Sequence, residues 1–368
     1  MLQDTQLDVE AFTQELRIAS NSNGPFRWLI GGFYQDRDTT NFLDIILDDG
    51  TGQPVEPAVF ALQSRDVGTS ESWGIFGSAS YDISPTLEFT LGARYDSDKR
   101  NSVDQIFAGS DASDKFTSFQ PKVQLKYELA PSHNIYATYS EGFGSGGFNA
   151  FFAGPAARRF AAQSAENYEI GAKGEFGNGL VQYSASLFQV YYDNQQFYFI
   201  TTNPPSQNIT NIDRTRVNGL ELEVSSEPFE NFNLSMGLGI TDSKILQFDR
   251  EPSSEGNRSP QNNSYTFNLS GQYTIPLNED YDLRLFASYR RQGEQFWDAA
   301  NTLRTEPKDF INMRLALEGV NWSLTGFVNN LTNDQYPLQA SANAFGPGLS
   351  IRNPSERRTY GIEGRISF

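Results

Sequence analysis

The sequence predicts an all-β protein, an antiparallel transmembrane β-barrel of about fifteen strands, and three observations carry that prediction. Apolar and polar residues alternate with a period of two in segment after segment, the pattern of a strand with one apolar and one polar face. The connections alternate between tight turns and long polar stretches, the end-to-end asymmetry of membrane barrels. No helical period of similar strength intervenes, and no apolar run approaches the roughly 18 to 20 residues a membrane helix needs.

Taken in order, strands are expected to start near Leu7, Pro25, Thr69, Thr86, Lys115, His133, Ala165, Leu180, Asn211, Phe232, Asn262, Tyr281, Lys308, Trp322 and Arg357. The clearest runs from Leu87 to Asp96, where Leu87, Phe89, Leu91, Ala93 and Tyr95 alternate with Glu88, Thr90, Gly92, Arg94 and Asp96. Leu91 is therefore expected to face lipid and Arg94 the lumen. The same alternation sets Val123, Leu125 and Tyr127 against Lys122, Gln124 and Lys126. It sets Leu234, Met236, Leu238 and Ile240 against Asn233, Ser235, Gly237 and Gly239. Tyr265, Phe267, Leu269, Gly271, Tyr273 and Ile275 in turn face away from Thr266, Asn268, Ser270, Gln272 and Thr274, and Ile311, Met313, Leu315 and Leu317 from Asn312, Arg314, Ala316 and Glu318.

Short turns are expected at Ser20 to Gly24, Asp82 to Pro85, Ala130 to Ser132, Gly177 to Gly179, Pro228 to Asn231, Pro276 to Asp280 and Gly319 to Asn321. Between them lie long polar connections: Thr39 to Arg65, Asn101 to Asp114, Ser145 to Ser164, Thr201 to Thr210, Asp249 to Pro260, Asp298 to Pro307 and Pro337 to Ser355. A soluble sandwich also alternates. It rarely keeps residues such as Arg94, Lys122, Arg284, Arg314 and Glu363 along one face of so many long strands. Aromatics also gather near strand ends, as in Trp28 and Tyr34, Trp73 and Tyr81, Tyr95, Tyr127, and Tyr265 and Tyr273, which is where membrane-interface girdles put them.

Composition agrees with this reading and excludes others. The chain is 38% hydrophobic and 14% aromatic, and its mean hydropathy of -0.51 suits strands that show only one side to lipid. A net charge of -17 argues against a nucleic-acid partner, which needs a basic face, and suits long solvated loops. With a single His (His133) and no Cys, no Zn, haem or iron-sulfur site is expected, and no metal or cofactor. The same scarcity removes Ser-His-Asp and Cys-His arrangements, so no catalytic residues and no enzyme activity are expected. The inward carboxylates Glu88, Glu169, Glu221, Glu223, Glu318 and Glu363 read as wall residues. Gly142-Phe-Gly-Ser-Gly-Gly147 lacks the Lys-Ser/Thr and the strand-to-helix setting of a phosphate loop and reads as a strand entering a flexible loop. Met1 is followed by Leu-Gln-Asp-Thr-Gln, without the charged and apolar regions of a secretory signal, and is read as a fragment boundary.

The final segment, Tyr360-Gly-Ile-Glu-Gly-Arg-Ile-Ser-Phe368, ends on an aromatic with Tyr360, Ile362 and Ile366 on one face, and resembles the C-terminal signature read by outer-membrane assembly machinery. Eight further segments resemble, in order, the barrel of TonB-dependent receptors. Phe12-Thr-Gln-Glu-Leu-Arg-Ile18 and Trp28-Leu-Ile-Gly-Gly-Phe-Tyr34 come first, then Gly92-Ala-Arg-Tyr95 and Gln120-Pro-Lys-Val123. Tyr139-Ser-Glu-Gly-Phe-Gly-Ser-Gly-Gly-Phe-Asn149 and Glu166-Asn-Tyr-Glu-Ile-Gly-Ala-Lys173 are the most specific. Asn218-Gly-Leu-Glu-Leu-Glu223 and Asn330-Leu-Thr-Asn333 with Tyr336 complete the set, which covers essentially the whole chain.

The resemblance implies a bacterial outer-membrane barrel of twenty-two strands filled by an N-terminal plug. The fifteen strands here would be the last fifteen, with the plug, its energy-coupling box and about seven strands absent. The first and last strands would both run toward the periplasm, so they could close on each other only in parallel; otherwise unpaired N-H and C=O groups would face lipid. Implied partners are outer-membrane lipid, the TonB-ExbB-ExbD complex through the missing plug, and the barrel assembly machinery through Tyr360, Ile362, Ile366 and Phe368. The implied function is energised import of a scarce nutrient, most often a ferric siderophore. A glycan, an aromatic compound or a cobalamin-like ligand stays open, as does a passive porin or structural barrel.

Ligand capture in this family resides in extracellular loops and the plug apex. Aromatics bury area at low entropic cost and Arg matches carboxylate or catecholate oxygens, so aromatic and basic loop clusters are the candidates. One comprises Phe143, Phe148, Phe151, Phe152, Arg158, Arg159 and Phe160; a second Arg290, Arg291, Phe296, Trp297 and Arg304; a third Tyr192, Phe197, Tyr198 and Phe199. Each could instead pack loop on loop without touching ligand.

Overall fold

The computed structural model describes residues 2–21, 24–151, 154, 157–202, 205–341 and 350–368. In chain order the strands are β1 (Leu2–Ala19), β2 (Phe26–Ile46), β3 (Phe60–Ser84), β4 (Leu87–Asp104), β5 (Ala112–Ala130), β6 (His133–Gly144), β7 (Gly147–Phe148), β8 (Arg159–Phe160), β9 (Gln163–Phe176), β10 (Val181–Thr202) and β11 (Pro205–Phe229). They continue as β12 (Phe232–Gln247), β13 (Tyr265–Pro276), β14 (Asp282–Gln292), β15 (Gln295–Phe296), β16 (Arg304–Thr305), β17 (Lys308–Glu318), β18 (Trp322–Asn329), β19 (Pro337–Ser341), β20 (Ile351–Pro354) and β21 (Thr359–Ile366). Fifteen of them form one antiparallel sheet in the order β1-β2-β3-β4-β5-β6-β9-β10-β11-β12-β13-β14-β17-β18-β21. The six short ones pair as hairpins β7/β8, β15/β16 and β19/β20, each inside a long connection.

The fifteen expected strands are these fifteen, but the long ones extend further into the connections than alternation indicates. Thr39 to Arg65 is expected to be loop, yet β2 runs to Ile46 and β3 begins at Phe60, with Thr39 opposite Gly68 and Asn41 opposite Asp66. Likewise Asn101 to Asp104 belongs to β4, and Thr201–Thr210 is largely strand of β10 and β11. Ladder hydrogen bonds come from the backbone and need no apolar side chain. Beyond the bilayer both faces of a strand meet water or loops, so the period of two disappears while pairing continues.

The tight turns use left-handed backbone. Ser132 (φ 63°) closes the β5–β6 turn, Asn231 (φ 64°) the β11–β12 turn, and Gly177 and Gly179 (φ 65° and 90°) the β9–β10 turn. Asn and Gly adopt that region at least cost.

Tertiary contacts divide the chain into two compact units. The first comprises Met1–Gln124, Ser140–Glu166 and Tyr192–Ile212. Its buried residues are mostly polar and cluster where strands approach the long connections: Ser64, Ser70, Asp98, Ser102, Asp104, Ser110, Asn149 and Arg158. Asp104 is held by Ser64 Oγ (2.5 Å) and by the backbone N-H groups of Ile106 (2.8 Å) and Phe107 (3.3 Å). The second unit comprises Leu125–Tyr139, Asn167–Tyr191 and Asp213–Phe368. Its core of Ile245, Phe248, Ala299 and Leu303 also sits at the loop end. Between loop end and turn end many apolar side chains are exposed and others half-exposed, as they must be where lipid replaces a core.

The two faces follow the expected parity. Ile30, Ile75 and Leu91 are 56%, 58% and 53% exposed, and Trp73 and Tyr95, on the same side, pack ring to ring at 5.7 Å. Tyr81 opposes Phe26 and Phe89 near the turn end. Eight residues separate Trp73 from Tyr81, about 27 Å along a strand and roughly 20 Å across a membrane at a 40° tilt, close to the ~25 Å apolar band of such barrels. On the opposite face Arg94 grips the Asp96 carboxylate with Nε and Nη2, both at 2.6 Å, while Gln120 donates to the same carboxylate at 2.7 Å.

Leu91→Arg is expected to destabilise the assembled full-length protein by about 2–4 kcal/mol, seen as loss of the heat-modifiable folded band. Arg94→Gln, on the wetted face, is expected to leave that band in place; the reverse outcome would mean that the faces are exchanged.

Candidate functional site

The loop-end residues expected to capture ligand fall into two kinds once their partners are known. In the first unit, β7 and β8 pair Gly147 with Phe160 and Phe148 with Arg159. The pairing drives Arg158, 8% exposed, inward. Its guanidinium donates to Asn149 O, to Ser102 Oγ (2.9 Å) and to Ser110 O (3.0 Å), lies 3.6 Å from the Asp66 carboxylate and covers the Phe148 ring at 5.6 Å. Asn149 ties the same loop to its neighbour, donating from Nδ2 to Ala157 O (2.6 Å) and Ile209 O (2.8 Å) and accepting from Ile209 N-H at 2.8 Å. Arg159 pairs with Asp114 at 3.0 Å and lies 5.0 Å from the Phe148 centroid. Phe151 packs on Phe107 at 5.6 Å. The Phe160 ring fills the space a side chain at Gly147 would need. Phe143 lies in β6, half-buried, and Phe152 lies outside the described residues. The arrangement packs loop on loop with its cations already neutralised.

Of the third cluster, Tyr192, Phe197 and Tyr198 lie along β10, and the Phe199 side chain lies outside the described ones.

The second cluster divides. Arg291, on the membrane-side parity with Tyr265 and Tyr289, donates to Tyr265 Oη (2.8 Å) and to both Asp309 oxygens (3.0 and 2.9 Å). Arg304 pairs with Glu294 (3.1 Å) and Glu306. Phe296 stands opposite Arg304 in the β15/β16 hairpin. Arg290 and Trp297, by contrast, line a cavity of about 450 Å³ at the loop end of β13, β14 and β17.

That cavity is completed by residues for which the sequence offers no cluster: Gln261, Asn263, Gln292, Gln295, Lys308, Phe310, Tyr336 and Leu338. Register brings them together, because Arg290 is opposite Phe310 and Gln292 opposite Lys308. The Arg290 guanidinium lies 5.7 Å from the Phe310 centroid, the Lys308 ammonium 4.5 Å from that of Tyr336, and the two rings meet edge to face at 4.6 Å. No lining residue is a carboxylate, and among the described residues neither Arg290 nor Lys308 makes an ion pair. Burial raises the Tyr336 phenol above its ordinary value, so it stays neutral at physiological pH and leaves the cavity cationic.

The cavity walls are braced. Asn301 (φ 57°) donates from Nδ2 to Arg258 O (2.9 Å) and accepts from Arg258 N-H at 3.0 Å, while Asn257 Nδ2 donates to Ala299 O at 3.0 Å. Trp297 Nε1 donates to Thr305 Oγ1 at 2.7 Å, which fixes the indole at the rim.

At the chain end, β21 pairs with β18, with Tyr360 opposite Val328, Ile362 opposite Gly326 and Ile366 opposite Trp322. Tyr360, Ile362, Ile366 and Phe368 are all exposed.

The model of the family described as TonB dependent receptor-like, beta-barrel, matches residues 3–331. The chain belongs to this family. As a TonB-dependent receptor barrel it is an outer-membrane protein, and the exposed apolar band is its lipid-facing side. Among curated proteins it is similar to the ferric-pyoverdine 358 receptor of Pseudomonas putida, 24% identical over 337 residues, 87% of this chain and 38% of that receptor. It is also similar to the pesticin receptor of Yersinia pestis, 24% identical over 370 residues, 96% of this chain and 51% of that one. Among solved structures the ferric yersiniabactin uptake receptor FyuA from Yersinia pestis superposes with a TM-score of 0.79 at 18% identity, over 100% of this chain and 55% of that one. This TonB-dependent receptor chain therefore spans about half the length of the relatives it matches, or less.

Asn301→Ala removes the two side-chain hydrogen bonds to Arg258 that join two loops beside the cavity and places a Cβ-bearing residue without side-chain support in left-handed backbone. Amide hydrogen exchange at Arg258 and Leu303 is expected to quicken about tenfold or more, since one net hydrogen bond is worth about 1 kcal/mol and the strained backbone adds to it. Unchanged exchange there would show that other contacts hold the loops.

Proposed function

We propose that this chain is the C-terminal wall and loop portion of a TonB-dependent importer of an anionic ferric siderophore, with the Arg290–Lys308 cavity contributing to capture. The observation that carries the reading is the pair of unneutralised cations on an aromatic platform, in a chain whose net charge is -17 and beside Arg291 and Arg304, which are both ion-paired. Leaving two like charges together without a counterion costs free energy in the empty receptor, and an anionic ligand recovers it. Arg290 and Lys308 would bind carboxylate or catecholate oxygens, Trp297 and Phe310 would cover the organic backbone, and Gln261, Asn263, Gln292 and Gln295 would accept and donate hydrogen bonds at its edges.

Names of similar proteins support the substrate class: one is a ferric-pyoverdine receptor, another a ferric yersiniabactin uptake receptor. In the whole receptor, a plug inside a twenty-two-stranded barrel would complete the site, and TonB with ExbB and ExbD would pull on that plug to release the ligand. The C-terminal residues Tyr360, Ile362, Ile366 and Phe368 would serve recognition by the assembly machinery.

In the full-length receptor, the double variant Arg290→Ala with Lys308→Ala is expected to weaken binding of carboxylate-type and catecholate-type ferric siderophores by tenfold or more, as loss of one charge-assisted hydrogen bond alone costs about 1.5–3 kcal/mol. Binding of a neutral ferric trihydroxamate should change little. Equal loss for all three would show that the cations do not read ligand charge, and uptake of ⁵⁵Fe that survives deletion of tonB would overturn energised import.

A further inference from the structure

We propose that the membrane-facing side of β5, β6, β9, β10 and β11 holds one phospholipid of the periplasmic leaflet, its acyl chain in a groove over Ala172 and Ala185 and its phosphate-glycerol end at His133 and Tyr183. The groove has a volume of about 680 Å³ and takes its walls from Leu125, Tyr127, Ile135, Ile170, Leu187 and Leu222. These side chains share the face that lipid covers: Ile170 is 58% and Leu187 51% exposed.

The layout follows from one glycine. A Cβ at Gly174 would lie 2.4 Å from His133 Nδ1 and 3.0 Å from the Tyr183 ring, so Gly174 sits between these two residues on adjoining strands. Its bare backbone lets His133 Nδ1 and Tyr183 Oη meet across it at 3.1 Å. Stepping two residues along each antiparallel strand brings Ile135, Ala172 and Ala185 level, and a further two brings Ala137, Ile170 and Leu187 level. A Cβ at Gly219 would strike the Phe188 ring at 2.1 Å, which places β11 alongside and sets Leu222 and Leu220 at the same two levels. In the nearer row two alanines lie side by side between Ile135 and Leu222. The missing side chains are the groove.

Depth and chemistry identify the occupant. His133 and Tyr183 lie at the turn end, beside the β5–β6 and β9–β10 turns, with Phe176 packed on both at 4.8 and 5.4 Å. The two groove rows lie about 7 and 13 Å further along the strands, within the ~15 Å of one leaflet of hydrocarbon. A site that is apolar for one leaflet's depth and ends in an imidazole and a phenol at the interface fits a molecule with an acyl chain and a phosphate end. His133 is the single histidine of the chain, and among the described residues its second ring nitrogen has no partner, so it can donate to that phosphate.

The test is native mass spectrometry of the full-length receptor released from nanodiscs of phosphatidylethanolamine and phosphatidylglycerol. The wild type is expected to retain one phospholipid. Ala172→Leu with Ala185→Leu fills the groove and is expected to lower that occupancy at least fivefold, whereas Ala287→Leu, at another membrane-facing alanine, should leave it unchanged. His133→Ala keeps the groove floor and is expected to lower occupancy as well, which preserves the test if the filled variant does not assemble. Equal retention in the filled variant and in Ala287→Leu would overturn the proposal. So would a wild-type dimer that the filled variant abolishes, because the groove would then be a protein interface.

Discussion

In hydrocarbon a backbone N-H or C=O has no water to turn to, so every such group must be met by the next strand. Across the apolar band β13 pairs with β14 without interruption from Thr266↔Gln292 to Pro276↔Asp282, and β14 with β17 from Asp282↔Glu318 to Gln292↔Lys308. The recorded shifts lie toward strand ends, between Ile45 and Ile46, Asp82 and Ser84, Arg214 and Thr215, and Ser226 and Phe229. A bulge leaves a group unpaired, and near a strand end water or headgroups can satisfy it.

Unbroken pairing fixes which side chains meet. Because the side-chain period is two, an uninterrupted register holds each strand's apolar set on the lipid side over its whole length. Among the described residues, burial then forms mostly at the loop end. There, in each unit separately, strands run past the bilayer and loops fold against them, giving the polar network around Asp104 and Arg158 in one and the cluster of Ile245, Phe248 and Leu303 in the other. The first network is costly to bury and is tolerated because its carboxylates and guanidinium find several partners each.

The same registers explain why residue type alone could nominate loop clusters but not sort them. Arg290 and Arg291 are adjacent in sequence and equally basic. Alternation sends Arg291 to the side where Asp309 and Tyr265 wait and Arg290 to the side where Lys308 and two aromatic rings stand without an acid. Arg158 and Arg159 are likewise adjacent, and the β7/β8 pairing buries the first and leaves the second on the surface with Asp114. Whether a cation is spent or available depends on a partner far away in the chain, between eighteen residues for Arg291 and Asp309 and ninety-two for Arg158 and Asp66.

By itself the sequence determined the strand number, the two faces and the compartment. Alternation of Leu91 with Arg94, and of Met313 with Arg314, is a local property that one strand imposes on itself through its pleat. It also determined, through eight short segments in order, the family to which the chain belongs. It understated β2, β3 and β11, whose outer ends pair through backbone groups that leave no hydrophobic signature. Only the tertiary structure decided that Lys308, Phe310 and Tyr336 join Arg290 in one cavity and that Gly174 brings His133 to Tyr183, because both depend on register between strands, a relation that no single segment encodes.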